Sequence, residues 1–364
     1  MGPLVMADVL ASYKGKRVLI TGHTGFKGSW LAQVLVRLGA EVAGYALPPG
    51  SKSSHFELLG LRNAITHIEG DIRDLTRLSR TVQEFAPQSV FHLAAQALVR
   101  RSYVDPVDTF STNVMGSVNL LEVARQTPSV RSLVLITSDK CYENHEWIWG
   151  YRENDQLGGH DPYSASKAAA EIVFSAYRRS FLTARRDFGA ATTRAGNVIG
   201  GGDWAQDRIV PDCIRAITEG RPVALRNPTA TRPWQHVLEP LSGYLVLGAA
   251  LLSDPVRYSG AWNFGPPSTQ CRTVGEVADV IIRHLGRGAV KHGDSASQHE
   301  AQLLQLNCDK AHQMLRWYPR WDIDKTLEMT ADWYRAVLGG DEAKAVTSRQ
   351  ICDYFPEMAC LSAR

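Results

Sequence analysis

Residues 18–30 read VLITGHTGFKGSW, a short apolar run, then Gly22, Gly25 and Gly28, then the start of an amphipathic stretch. A strand that passes through glycines directly into a helix opens a βαβ unit, and nothing else in the chain restricts its folding as much. The glycines permit a tight turn and let backbone N–H groups approach a pyrophosphate, with the positive end of the helix behind them. The competing reading is a glycine-rich turn with no ligand, and the strand before and helix after weigh against it.

The pattern repeats. RVLIT, EVAGYA, SVFHLAA, SLVLITS and GAATTRAGNVIG alternate with helical segments such as SWLAQVLVRLG and NVMGSVNLLEVARQ. Continuous β-branched runs between amphipathic helices predict a parallel sheet buried on both faces. The expected fold class is α/β, a doubly wound, Rossmann-type parallel sheet with a smaller, mixed α/β C-terminal lobe. Any site then lies along the rim formed by the strands' carboxyl ends. Residues 14–196 are expected to form the dinucleotide-binding domain, with segments about 237–265 returning to it. Proline-punctuated residues 197–236 and 266–340 make the substrate lobe, and 341–364 form a polar tail, partly helical and partly mobile.

Composition excludes several classes. A net charge of +3 over 364 residues, with no basic stripe, gives no nucleic-acid footprint. No window approaches the roughly 18 apolar residues of a membrane span, and the opening lacks the pattern of a signal peptide. Cys141, Cys213, Cys271, Cys308, Cys352 and Cys360 are scattered without metal-ligand spacing, so free thiols, a cytoplasmic location and no metal are expected.

HDPYSASKAAAE places Tyr163 and Lys167 four residues apart, on one helical face. A cationic lysine beside a phenol favours phenolate, bringing its pKa from about 10 towards the working pH and making a base for a hydroxyl proton. ITSDKCYEN sets Asp139 beside Lys140 where a strand should end. A solvated turn or ion pair is the bland reading of that dyad. In a dry site the same two groups can serve as acid and base.

The G-x-x-G-x-x-G spacing, GDI at Gly70–Ile72, HLAA at His92–Ala95 and Y-x-x-x-K together resemble the extended short-chain dehydrogenase/reductase family, specifically its nucleotide-sugar branch. The likeness runs from about Lys14 to about Gly339. It implies a nicotinamide cofactor held by Gly22, Gly25, Phe26, Gly28, Asp71, Ile72, Leu93, Ala94, Ala95, Asn113, Tyr163 and Lys167. Asn113 is also implied to orient the helix that carries Tyr163. Ser138 is implied to assist Tyr163 at the sugar's 4-hydroxyl. Dehydratases of the branch most often follow with Asp then Glu; Asp139 then Lys140, with CYEN after them, resembles the type acting on CDP-glucose. The runs RAGNVIGGGDWAQDRIVPDCIRA and NPTATRPWQHVLEPLSGYL agree with that type. For it, Asp139 is the acid and Lys140 the base of a C-5/C-6 water elimination that follows C-4 oxidation. The hydride then returns to C-6.

Asn197 and Arg232 match positions that contact the substrate diphosphate, with Arg208 a weaker match and Pro233 standing where most relatives have Asp. The second strand lacks the acid that usually holds the cofactor ribose: Tyr45 and Ala46 end it, and Lys52 lies beyond. NAD is expected, with NADP left open. A homodimer or higher oligomer is expected through helices 105–125 and 163–180. His23 and Lys27 are expected to be exposed and without a catalytic role. Trp204, Trp234 and Trp262 are expected to pack, while the loop holding Trp147 and Trp149 either covers the sugar or packs. Two other readings stay open: a 4-epimerase or a dehydratase for another nucleotide, and a catalytically silent NAD(P)-sensing scaffold.

Overall fold

The computed structural model describes residues 5–225, 227–292 and 303–361. Seven strands form one parallel sheet: β1 (Arg17–Thr21), β2 (Glu41–Ala46), β3 (Thr66–Glu69), β4 (Ser89–His92), β5 (Ser132–Ile136), β6 (Gly189–Arg194) and β7 (Gly260–Asn263). Their spatial order is β7-β6-β5-β4-β1-β2-β3, so the winding reverses between β1 and β4. That reversal opens a crevice at the carboxyl ends, where doubly wound folds bind ligands.

Alternation along β1 shows why these runs carry so few polar residues. Val18 and Ile20 enter one hydrophobic core with Trp30, Leu31 and Val34 of helix Phe26–Arg37. Leu19 enters a second core with Leu78, Val82, Leu120 and Leu121, from helices Leu75–Phe85 and Gly116–Gln126. Both faces are covered, as a parallel sheet requires. Helix Leu238–Ser253, buried along most of its length, joins the first core, and β7 pairs with β6 at the sheet's edge. No described helix is long and apolar enough to cross a membrane.

Beyond the sheet, Thr231–Pro233 pairs antiparallel with Cys271–Thr273, and Val223–Leu225 pairs parallel with Val290–His292. Helices Ile209–Thr218 and Val274–Leu285 cover these short strands. Trp234 and Trp262 are buried and Trp204 packs edge-on against Tyr334, so these indoles are packing groups. Trp147 packs on Tyr151 at 5.0 Å, while Trp149 remains exposed.

The tail is helical and packs against the main core. Ala343–Tyr354 and Glu357–Leu361 are helices, and Val346, Ile351, Tyr354 and Phe355 are buried in the main core. A polar anchor holds them. The Glu239 carboxylate accepts hydrogen bonds from the Tyr354 hydroxyl at 2.6 Å and from the backbone N–H groups of Arg320 and Trp321. Burial pushes that carboxyl up to about 7. The side chains of Cys360 and residues 361–364 lie outside those described.

Candidate active site

A cavity of about 420 Å³ lies at the reversal point. The glycine loop forms one wall with Gly22, Thr24, Gly25, Phe26, Lys27 and Gly28. Tyr45 to Leu47 and Gly70 to Arg73 form the far end; Leu93 to Ala97, Ile136, Thr137, Tyr163, Lys167 and Arg208 form the near end. Two of the loop's glycines are obligatory here. A Cβ on Gly22, where φ is +78°, would sit 2.6 Å from the Ala94 nitrogen, and one on Gly28 would sit 2.2 Å from the Gly22 oxygen. Gly25 offers helix Phe26–Arg37 no side-chain cap, so its first-turn N–H groups are left for an anion.

Of the residues expected at the cofactor, Gly22, Gly25, Phe26, Gly28, Asp71, Ile72, Leu93, Ala94, Ala95, Tyr163 and Lys167 all line this cavity. Asn113 does not contact it through its amide. Both ends of that amide are engaged by protein: Oδ1 accepts from the Gln96 backbone N–H, and Nδ2 donates to the Gln96 carbonyl and to Ser166 Oγ at 2.8 Å. Ser166 belongs to helix Pro162–Ser180, so the orienting part of the expectation has its geometry. At the far end Ala46 and Leu47 stand where the ribose acid was missing, and Asp71 is gripped by Arg73, which also reaches Asp108.

The dyad follows β5. Ser138 caps a single 3₁₀ turn, Asp139–Cys141, and both its hydroxyl and the Lys140 N–H donate to Asp139 Oδ1 at 2.9 Å. Asp139 is 4% exposed. Gly196 presses on the other oxygen, since a Cβ there would lie 1.8 Å from Oδ2. Lys140 is half-buried. The bland reading, a solvated turn, does not fit a carboxylate enclosed in this way.

Tyr163 and Lys167 are both buried. Burial acts against the charged form of each group. Burial pushes the Tyr163 hydroxyl up to about 12, and a hydrogen bond with Ser138 only partly opposes this. Burial also brings Lys167 down to about 8, with Glu171 and Cys141 working the other way. The Lys167 ammonium donates to the Ile136 carbonyl at 3.3 Å. A dry site strips the solvation that both charged forms need.

Three substrate candidates are placed differently. Arg208 lines the cavity and pairs with Asp203 at 2.8 Å. Asn197 adopts a left-handed backbone (φ 51°), and its carbonyl accepts from Gln235. Arg232 lies on the short strand Thr231–Pro233 and donates to the Thr231 carbonyl.

Two loop residues overturn their expectation. His23 is buried, with Nε2 2.7 Å from His67 Nδ1, and burial holds its imidazole near 3. Lys27 lines the cavity, and its amine is brought down to about 8 by burial first and by neighbouring Arg208, with Asp139 opposing. Thr24, Arg73 and Thr137 also line the cavity without having been anticipated. Thr137, immediately before Ser138, carried the clearest signal.

The family model described as GDP-mannose 4,6 dehydratase matches residues 19–258. The chain belongs to that family. A CDP-glucose 4,6-dehydratase of Salmonella typhimurium is 48% identical over 348 residues, covering 94% of this chain and 97% of the relative. The solved UDP-glucose 4-epimerase of Thermus thermophilus, in complex with NAD, has a TM-score of 0.74 at 28% identity, covering 88% of this chain and 99% of that one. A dTDP-glucose 4,6-dehydratase from Streptomyces venezuelae, with NAD bound, has a TM-score of 0.75 at 23% identity, covering 90% and 99%, and shares the fold.

Proposed function

We propose that the chain is an NAD-dependent 4,6-dehydratase converting CDP-D-glucose to CDP-4-dehydro-6-deoxy-D-glucose. The observation that carries this reading is the enclosed Asp139, fixed by Ser138 and the Lys140 N–H in the turn after β5; Ile136, the strand's last residue, and Thr137 just beyond it line the cavity with Tyr163 and Lys167. The relative at 48% identity supports the nucleotide. Bound NAD would accept the hydride from C-4 and give it back to C-6. Tyr163 takes the proton of the 4-hydroxyl, assisted by Ser138, and Lys167 supplies the positive charge that favours phenolate. The resulting ketone acidifies C-5. Lys140, neutral, removes the C-5 proton while Asp139, protonated, delivers its proton to the departing 6-hydroxyl. Gly22, Gly25, Phe26, Gly28 and the helix behind them would hold the cofactor diphosphate; Asp71, Ile72 and Leu93 to Ala95 would flank its remaining parts. Arg208, Asn197 and Arg232 are assigned to the substrate diphosphate.

A homodimer belongs to the same reading, and the exposed apolar side chains of Val107, Phe110, Met115 and Ile172 on the two helical regions support it. The free thiols Cys141, Cys213, Cys271, Cys308 and Cys352 support a reducing, cytoplasmic setting.

The test is mass spectrometry of products after incubation with NAD and, separately, CDP-glucose, dTDP-glucose and UDP-glucose. Loss of one water from CDP-glucose, abolished in Asp139→Asn, is expected. Loss from another nucleotide would move the substrate. Isomerisation without a mass change would replace the dehydratase by an epimerase.

A further inference from the structure

Behind the reacting groups lies a buried ion pair that the proposed chemistry leaves without a part. Glu171 stands one helical turn beyond Lys167, and its carboxylate meets the Arg194 guanidinium at 2.9 Å with both side chains at most 3% exposed. The carboxylate is saturated: Thr137 Oγ1 donates to Oε1, Thr192 Oγ1 to Oε2 at 2.7 Å, and Arg194 Nε and Nη2 to one oxygen each. Arg194 donates in turn to the Tyr142 hydroxyl at 2.7 Å and to the Glu153 carbonyl, with its guanidinium 4.8 Å above the Tyr142 ring.

The placement of these contacts matters. Thr137 immediately precedes Ser138, and Tyr142 follows Cys141. The segment carrying Ser138, Asp139 and Lys140 is therefore tied at both ends to one ion pair. One half of that pair sits on the helix of Tyr163 and Lys167. A surface ion pair is worth little, but breaking a buried one leaves a charge without a partner in a dry interior. Such a pair holds two elements in a single relation.

We infer that Glu171 and Arg194 are positioning residues: they fix the elimination dyad relative to the Tyr163–Lys167 pair, and Glu171 sets the charge of Lys167. The second part follows from proximity. Lys167 faces Glu171 and Tyr163 on its own helix, Cys141 from the dyad turn, His92 from β4 and Lys27 from the phosphate loop. Among these, Glu171 acts first to favour the ammonium against burial. The inference rests on the dehydratase reading for the part that concerns the dyad.

The experiment uses the full chain with NAD and CDP-glucose, comparing wild type with Glu171→Gln and Glu171→Asp. Steady-state kinetics and the pH profile of kcat/KM are recorded, together with the transient absorbance of reduced nicotinamide. Glu171→Gln should lower kcat for water loss by about tenfold or more, with KM within about twofold, because the dyad shifts by a fraction of an ångström. Its acid limb should also move to lower pH by about one unit, since the group that favours protonated Lys167 is gone. Glu171→Asp keeps the charge and shortens the reach, so kcat should fall while the limb stays in place. A folded Glu171→Gln protein with wild-type kcat and limb overturns the inference. If that variant does not fold, Glu171→Asp with wild-type kcat does so. Wild type that loses no water indicts the dehydratase reading alone; the pH limb of nicotinamide reduction then still decides the coupling of Glu171 to Lys167.

Discussion

Gly196 offers a perturbation that aims at one oxygen of one residue. It lies next to Asn197 on the chain leaving β6, and its backbone is not in the left-handed region, so alanine is acceptable in conformation. What alanine meets is the Asp139 carboxylate: the new Cβ would stand 1.8 Å from Oδ2, 2.2 Å from Cγ and 2.7 Å from Oδ1. Ordinary contact needs about 3.5 Å, so the carboxylate must retreat by about 1.5 Å. Moving it breaks the bonds from Ser138 and the Lys140 N–H, each 2.9 Å long, that now fix its direction. A misplacement of about 1 Å in a reacting group costs about a hundredfold in rate. Gly196→Ala should therefore slow water elimination by about a hundredfold. C-4 oxidation, which the proposed mechanism assigns to Tyr163 and Lys167, should stay within about threefold. Rapid mixing of enzyme, NAD and CDP-glucose, followed by nicotinamide absorbance and product mass, separates the two steps. The variant should accumulate reduced nicotinamide without losing water, as should Asp139→Asn. A folded Gly196→Ala protein that eliminates at the wild-type rate would refute the assignment of Asp139 as the acid.

Two pH predictions accompany it. With Lys167 near 8 and Tyr163 near 12, the pair loses its first proton near 8 and keeps the second over the usable range; the phenolate–ammonium form has that one-proton count. The value of kcat/KM should rise with pH through about 8, with no alkaline fall from this pair before about 12, and Tyr163→Phe should abolish turnover; a flat profile sinks the argument. Glu239 has a folded pKa of about 7 against an ordinary 4.5, so the stability it contributes is fully present below 4.5 and lost as pH rises through 7. Between about pH 5 and about pH 8 the wild type should lose up to about 3 kcal/mol relative to Glu239→Gln, read as several degrees of Tm; a Tm difference that is the same at both pH values contradicts this.

The parts of the fold that were legible are those encoded by short-range spacing. Strand runs, the glycine loop and the Tyr163–Lys167 interval each need only a few neighbouring residues. The sheet's reversal between β1 and β4 then gathers those local signals at one cavity. What was not legible depends on partners distant in sequence. His23 looks exposed in a polar loop because the imidazole that satisfies it, His67, comes 44 residues later. Lys27 reads as a surface lysine until Arg208 and Asp139 are folded over it. The tail's polar composition does not reveal its partner: Tyr354 closes 115 residues back onto Glu239.

At the phenol, adjacency and burial act in opposite directions. Lysine next to tyrosine predicts a lowered phenol pKa only while the lysine keeps its charge. The same burial that makes the site dry draws Lys167 down while it pushes Tyr163 up, so adjacency alone leaves the pair a neutral phenol and amine near pH 9. Converting that pair to phenolate and ammonium moves a proton within the pair, at constant proton count, and needs an electrostatic bias rather than a change of pH. Glu171 is positioned to provide part of it, one turn from Lys167 and held by Arg194 on the opposite side. The same pair fixes both ends of the turn that holds Asp139 and Lys140. On the proposed mechanism oxidation and elimination therefore share one support, and a change at Glu171 should register in both steps, whereas Gly196→Ala should register in only one.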